Sequence, residues 1–63
     1  MSQATDLLIK GAREEFSDDP EALVVITELE QAWRNSELAT DFAAKQYWEQ
    51  RASNLLFILD TVG

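Results

Sequence analysis

Acidic side chains are the residues of this chain with the greatest capacity for chemistry. The sequence holds twelve aspartates and glutamates against five lysines and arginines, and it has no cysteine and no histidine. Adjacent carboxylates such as Glu14-Glu15 and Asp18-Asp19 could perform acid–base catalysis if one of a pair were desolvated. Their oxygens could also coordinate a divalent cation. Thiolate and imidazole metal ligands are absent, and Cys–His and Ser–His catalysis is excluded.

The spacing of these acids supports neither kind of chemistry. Several of them fall in Ser17-Asp18-Asp19-Pro20-Glu21, whose composition predicts an exposed turn and not a pocket. The acids of this segment do not match an EF-hand loop, which needs alternating oxygen ligands and a central glycine. A single domain of 63 residues also has little room to enclose a substrate. We therefore expect no enzymatic activity, no catalytic residues, no metal and no cofactor.

The acidic stretch has two other interpretations, and the sequence leaves both open. From Glu14 to Trp33 the chain carries seven carboxylates and no base. An acidic face could attract a basic protein surface and mimic nucleic-acid phosphates. Its candidate residues are Glu14, Glu15, Asp18, Asp19 and Glu21. Alternatively, these residues form a solvated turn followed by the usual acids of a helix N-terminus. The net charge of −7 argues against direct binding to nucleic acid or to an anionic membrane.

Three helices are predicted to position these side chains, over about residues 3–16, 20–34 and 37–61. The chain is rich in helix-forming residues and shows no strand-like alternation. Asp19 is a good N-cap, Pro20 suits the first helical position, and Glu21 favours the positive end of the helix dipole. The third helix begins somewhere between Ser36 and Asp41, where neither glycine nor proline marks the turn.

Each predicted helix has an apolar stripe that could face its neighbours. The stripes are Ala4, Leu8, Ala12 and Phe16 in the first helix, Ala22, Val25, Ile26, Leu29 and Trp33 in the second, and Trp48, Ala52, Leu55, Leu59 and Val62 in the third. Trp33 and Trp48 lie on these stripes, so we expect them in the core. Gly11 interrupts the first helix, either to allow close helix approach or as a tolerated weakness.

Two segments are more apolar than a single stripe requires. Residues 23–26 and 55–59 each cover most or all of a helical turn, and Phe57 points away from the stripe of the third helix. One explanation is that the third helix is the central helix of a three-helix bundle. The explanation that we favour is an interface with another chain. The interface candidates are Leu23, Val24, Trp48, Leu55, Phe57 and Ile58.

The sequence thus predicts an all-α protein with one domain, 1–63, whose helices form a short bundle or hairpins completed by homodimerisation. A helix-turn-helix DNA reader is not expected, because the predicted third helix begins with Glu37 and Asp41 where basic and amide side chains would be needed. The longest apolar run has five residues, and we expect no signal peptide, because the first residues show neither its basic segment nor its hydrophobic stretch. We expect a cytoplasmic adaptor or regulatory protein that contacts itself or another protein with a basic or apolar surface. The alternative is an acidic inhibitor that occupies the basic surface of a nucleic-acid-binding protein.

Overall fold

The computed structural model describes residues 3–62 and contains three α-helices, α1 Gln3–Glu15, α2 Pro20–Leu38 and α3 Phe42–Val62. No strand occurs in that range, so the all-helical prediction is confirmed. Only the backbone of Val62 is described, and its predicted place in the third stripe lies outside the described side chains. None of the three helices combines the length and the apolar character needed to cross a lipid bilayer.

Local chemistry sets the start of α2 as predicted. Asp19 has an extended backbone, and its Oδ1 accepts a hydrogen bond of 3.3 Å from the Ala22 amide. Pro20 occupies the first helical position, where a missing amide hydrogen costs nothing. The Asp19 amide in turn donates to the carbonyl of Phe16 at 2.9 Å. This bond closes the short connection between α1 and α2.

The boundary between α2 and α3 differs from the prediction. The helix expected to end at residue 34 continues to Leu38, and the helix expected to begin at residue 37 begins at Phe42. Asp41 caps α3, since its Oδ2 accepts from the Ala44 amide at 3.2 Å. Ser36, a candidate for the start of the third helix, is instead a buried residue within α2. Burial of this small side chain extends the packed face of α2 by one more turn.

α2 is the central helix of the molecule. A three-residue connection and the Arg51–Glu28 ion pair place α2 and α3 side by side in antiparallel orientation, while the backbone of α1 packs on α2 alone. The explanation that made the third helix central is therefore wrong. The buried apolar residues form one cluster, to which α1 contributes Ile9, α2 contributes Ala22, Ile26, Leu29 and Ala32, and α3 contributes Ala52, Leu55 and Leu59. The Cα atoms span 37 × 22 × 13 Å.

The predicted stripe of the first helix is confirmed at Ala12 and Phe16, which pack against the core, but not at Ala4 and Leu8. Ile9 is buried, whereas Leu8 is 52% exposed and Ala4 is also at the surface. Arg13 lies on the same side of α1 as Ile9, and one of its Nη atoms lies 2.6 Å from a carboxylate oxygen of Glu30 on α2. The burial of Ile9 and this partly exposed ion pair both hold that side of α1 against α2. The first helix therefore leaves part of its apolar surface uncovered.

Gly11 provides a first testable prediction. A Cβ at this position would meet nothing within 4 Å, so the interpretation of Gly11 as a site of close helix approach is wrong. Gly11→Ala should stabilise the fold by about 1 kcal/mol, because glycine is a poor helix former. In a domain of this size the gain corresponds to a rise of roughly 4–8 °C in Tm. Thermal unfolding followed by circular dichroism measures it, and a fall in Tm would contradict the open environment.

Candidate interaction surfaces

A strip of exposed residues runs along the side of α3 that is turned away from the core. We call it the outer strip, and its residues are Ala43, Tyr47, Gln50, Asn54, Phe57 and Thr61. Their spacing of four, three, four, three and four residues keeps them within about 80° of one another around the helix. This is the spacing with which one helix packs along another in a coiled-coil manner. The strip contains no charged residue, although 27% of the chain is charged.

Local contacts hold the side chains of the outer strip in place. The ring of Tyr47 meets that of Trp48 edge to face at a centroid distance of 4.9 Å, and Trp48 itself packs against the core. At the middle of the strip, Nε2 of Gln50 donates to Oδ1 of Asn54 at 3.2 Å. Phe57 is 73% exposed. The strip therefore has an amide pair at its middle and one aromatic ring on each side of that pair. This arrangement suits contact with a protein surface.

The predicted interface residues fall into two groups. Phe57, Ile58 and Val24 lie at the surface, Phe57 and Ile58 on α3 and Val24 on the side of α2 away from its buried residues. Leu55 belongs to the core, while Leu23 and Trp48 are partly buried against it. The exposed candidates thus come from two helices and do not form a single stripe. Only those on α3 adjoin the outer strip.

Several surface residues were not among the predicted candidates. Leu7 and Leu8 on α1, together with Phe42 and Tyr47 on α3, are more than half exposed. Gln50 and Asn54 were missed because the search for an interface considered apolar residues only. The complete strip is nevertheless visible in the sequence, as a seven-residue repeat on the outer face of the third helix.

The predicted acidic residues gather at one end of the molecule. Phe16 and Glu15 adjoin Leu59 and Asp60 in a shallow depression, so the end of α3 adds a carboxylate to the acidic face. We call this surface the acidic end, and it consists of Glu14, Glu15, Asp18, Asp19, Glu21 and Asp60. No salt bridge reaches these six residues within the described part of the chain. The opposite end has two bases and two acids, Arg34, Lys45, Glu37 and Asp41.

A groove between α1 and α2 is lined by Asp6, Ile9, Lys10, Arg13, Glu14, Ser17 and Glu30. Its central charges pair with each other, since Glu30 lies 2.6 Å from Arg13 and 3.7 Å from Arg34. The described residues also contain no group of three or more acidic side chains that could hold a metal ion. The groove therefore holds the paired charges of Arg13 and Glu30 beside Asp6, Lys10 and Glu14.

Comparisons with protein-family models, with curated proteins and with solved structures find no match for this chain. The outer strip and the acidic end are therefore the two candidate sites of function. The outer strip is the more specific of the two, because it combines exposure, aromatic side chains, regular spacing and lack of charge.

Proposed function

We propose that this chain is a small acidic, non-enzymatic adaptor or regulatory protein of the cytoplasm that acts through protein–protein contacts and forms a homodimer. The observation that carries the proposal is the exposed outer strip of α3, where Phe57 is 73% exposed. Large apolar side chains grouped on the surface of a small protein are typical of interaction sites. Aromatic residues also contribute most to binding energy at protein interfaces.

Self-association is the form of contact that we favour. Most soluble oligomers are symmetric and built from identical chains, with twofold dimers the commonest. Two copies of a chain with a net charge of −7 repel each other, and an uncharged strip is the surface on which this repulsion is weakest. The negative charge of the remaining surface stays available to attract a second partner.

Phe57→Glu tests this proposal. A glutamate within the contact would have to be desolvated without a partner, so the variant should be monomeric at concentrations where the wild type is dimeric. Sedimentation equilibrium from about 1 μM to about 1 mM covers the range of weak and moderate dimers. Helix content, measured by circular dichroism, should not change because the Phe57 side chain is outside the core.

Gln31→Glu is the matched control for this experiment. It adds the same charge at an exposed position of α2, away from the outer strip, and should leave the dimer intact. A wild type that stays monomeric throughout the concentration range would refute the homodimer. A dimer that Phe57→Glu does not weaken would place the interface on another surface.

The acidic end supports a second candidate function, that of an inhibitor which covers a basic nucleic-acid-binding surface. Six carboxylates within one end of a 63-residue chain produce a strong local field that attracts cationic surfaces. The variant Asp18→Asn/Asp19→Asn/Glu21→Gln removes three charges, and an asparagine retains the cap oxygen that α2 requires. In a panel of basic DNA-binding proteins, the wild type should displace labelled DNA from at least one member and the variant should not. Equal displacement by both proteins would end this candidate.

A further inference from the structure

We propose that the outer strip of α3 binds the same strip of a second copy in antiparallel orientation, about a twofold axis level with Ala52. This inference rests on the proposed function, and it adds the geometry and the register of the contact. In such a pair, a residue that precedes the axis by a given number of positions meets the residue that follows it by the same number. The sequence of the strip can therefore be tested for the match that this symmetry requires.

The outer strip is chemically symmetric about residue 52. Gln50 and Asn54 lie two positions from residue 52, one on each side, and Tyr47 and Phe57 lie five positions from it. The strip ends nine positions from residue 52 in two small side chains, Ala43 and Thr61. Antiparallel pairing consequently places amide against amide and aromatic ring against aromatic ring. A parallel homodimer pairs every residue with its own copy and would not require this symmetry.

The amide pair at the centre of the strip specifies the register. Gln50 and Asn54 already hydrogen-bond within one chain, and each retains further donors and acceptors. With the axis level with residue 52, the amides of the two chains meet and can satisfy one another. A shift along the helix would place an amide against the ring of Tyr47 or Phe57 and leave its remaining donors and acceptors unsatisfied, at a cost in free energy. Single polar positions fix register in coiled coils by the same mechanism.

The distribution of charge also favours the antiparallel pair. A parallel pair would bring the acidic ends of both chains together, with twelve carboxylates in one region. The antiparallel pair separates the acidic ends along the length of α3. It also brings each of them close to the partner end that holds Arg34, Lys45, Glu37 and Asp41, whose formal charges cancel, so the repulsion there is weaker than between two acidic ends.

The size of the strip predicts a reversible dimer. From Ala43 to Thr61 the strip is about 27 Å long. At the width of one helix it covers roughly 300 Å² per chain, below the roughly 800 Å² of a typical stable interface. We therefore expect the two chains to exchange readily between monomer and dimer, and mixed dimers to form when two variants are combined.

Cysteine cross-linking tests the orientation, and the chain provides a background without cysteine. In the antiparallel pair, residue 43 lies opposite residue 61 of the other chain, whereas the two copies of residue 43 are about 27 Å apart. Disulfides form only when the Cα atoms are within about 7 Å. An equimolar mixture of the Ala43→Cys and Thr61→Cys variants should therefore cross-link on oxidation in about half of its dimers, the share that random exchange makes mixed. Neither variant should cross-link alone.

A mixture of Gln31→Cys with Thr61→Cys is the control, and it should not cross-link. Cross-linking of Ala43→Cys with itself would establish a parallel pair and overturn the inference, although the homodimer of the proposed function would stand. If sedimentation shows a dimer but the Ala43→Cys and Thr61→Cys mixture does not cross-link, the strip is not the contact and the inference is likewise overturned. A monomer in sedimentation would overturn the homodimer and this inference together.

Discussion

Leu29→Ala should unfold a large fraction of the protein under conditions in which the wild type is folded. Leu29 is fully buried in α2, the helix against which both other helices pack. Truncation of a buried leucine to alanine costs about 2–5 kcal/mol, because the lost contacts leave a cavity. The hydrophobic core of a domain of this size rarely gives a free energy of unfolding above about 3–5 kcal/mol. The cost is therefore comparable with the whole stability of the fold.

Urea unfolding followed by far-ultraviolet circular dichroism measures this loss as a lower midpoint or as missing helix signal in water. Val24→Ala is the matched control, since it also truncates an aliphatic side chain of α2 but at a position that is 60% exposed. Its unfolding midpoint should stay close to that of the wild type. Similar losses in the two variants would show that the buried face of α2 is wrongly assigned.

The parts of the fold that could be predicted are those determined by neighbouring residues. Asp19 and Pro20 specify the start of α2 through a side-chain cap and a fixed backbone angle, and both features are visible in the sequence. The stripe of the third helix is also confirmed where its side chains are described, because Ala52, Leu55 and Leu59 recur on one helical face and all are buried. Local patterns of this kind do not depend on how the helices are arranged.

The parts that could not be predicted depend on contacts between distant residues. Ser36 and Asp41 were the limits predicted for the start of the third helix, and the later start at Phe42 accompanies the burial of Ser36 in the extended α2 and the cap by Asp41. The phase of α1 accompanies its contact with α2, which buries Ile9 and includes the Arg13–Glu30 ion pair across seventeen positions of the chain. Neither contact leaves a signal in the local periodicity. Helix termini and helix rotation are therefore the features most sensitive to tertiary packing.

The candidate interaction surface could be predicted in part. Phe57 lies opposite the core face of its helix, so its exposure follows from helical geometry. Leu55 was included as a candidate because its segment holds more apolar residues than one stripe requires, but its side chain is used by the core. The amides of Gln50 and Asn54 were not considered, since polar residues carry no apolar signal. Helical spacing alone places them on the same exposed face as Phe57.

Ala52→Leu should destabilise the protein by about 1–3 kcal/mol, the usual cost of forcing a larger side chain into a packed core. Ala52 is 1% exposed and belongs to the same buried cluster as the alanines at positions 22 and 32 of α2. A leucine at position 52 must displace α2 or adopt a strained rotamer. Ser53→Leu is the control, because it introduces the same side chain at an exposed position of the same helix. The urea midpoints of the two variants separate the effect of overpacking from that of helix propensity. An Ala52→Leu variant with the midpoint of the wild type would mean that α2 and α3 are more loosely packed than the burial of Ala52 indicates.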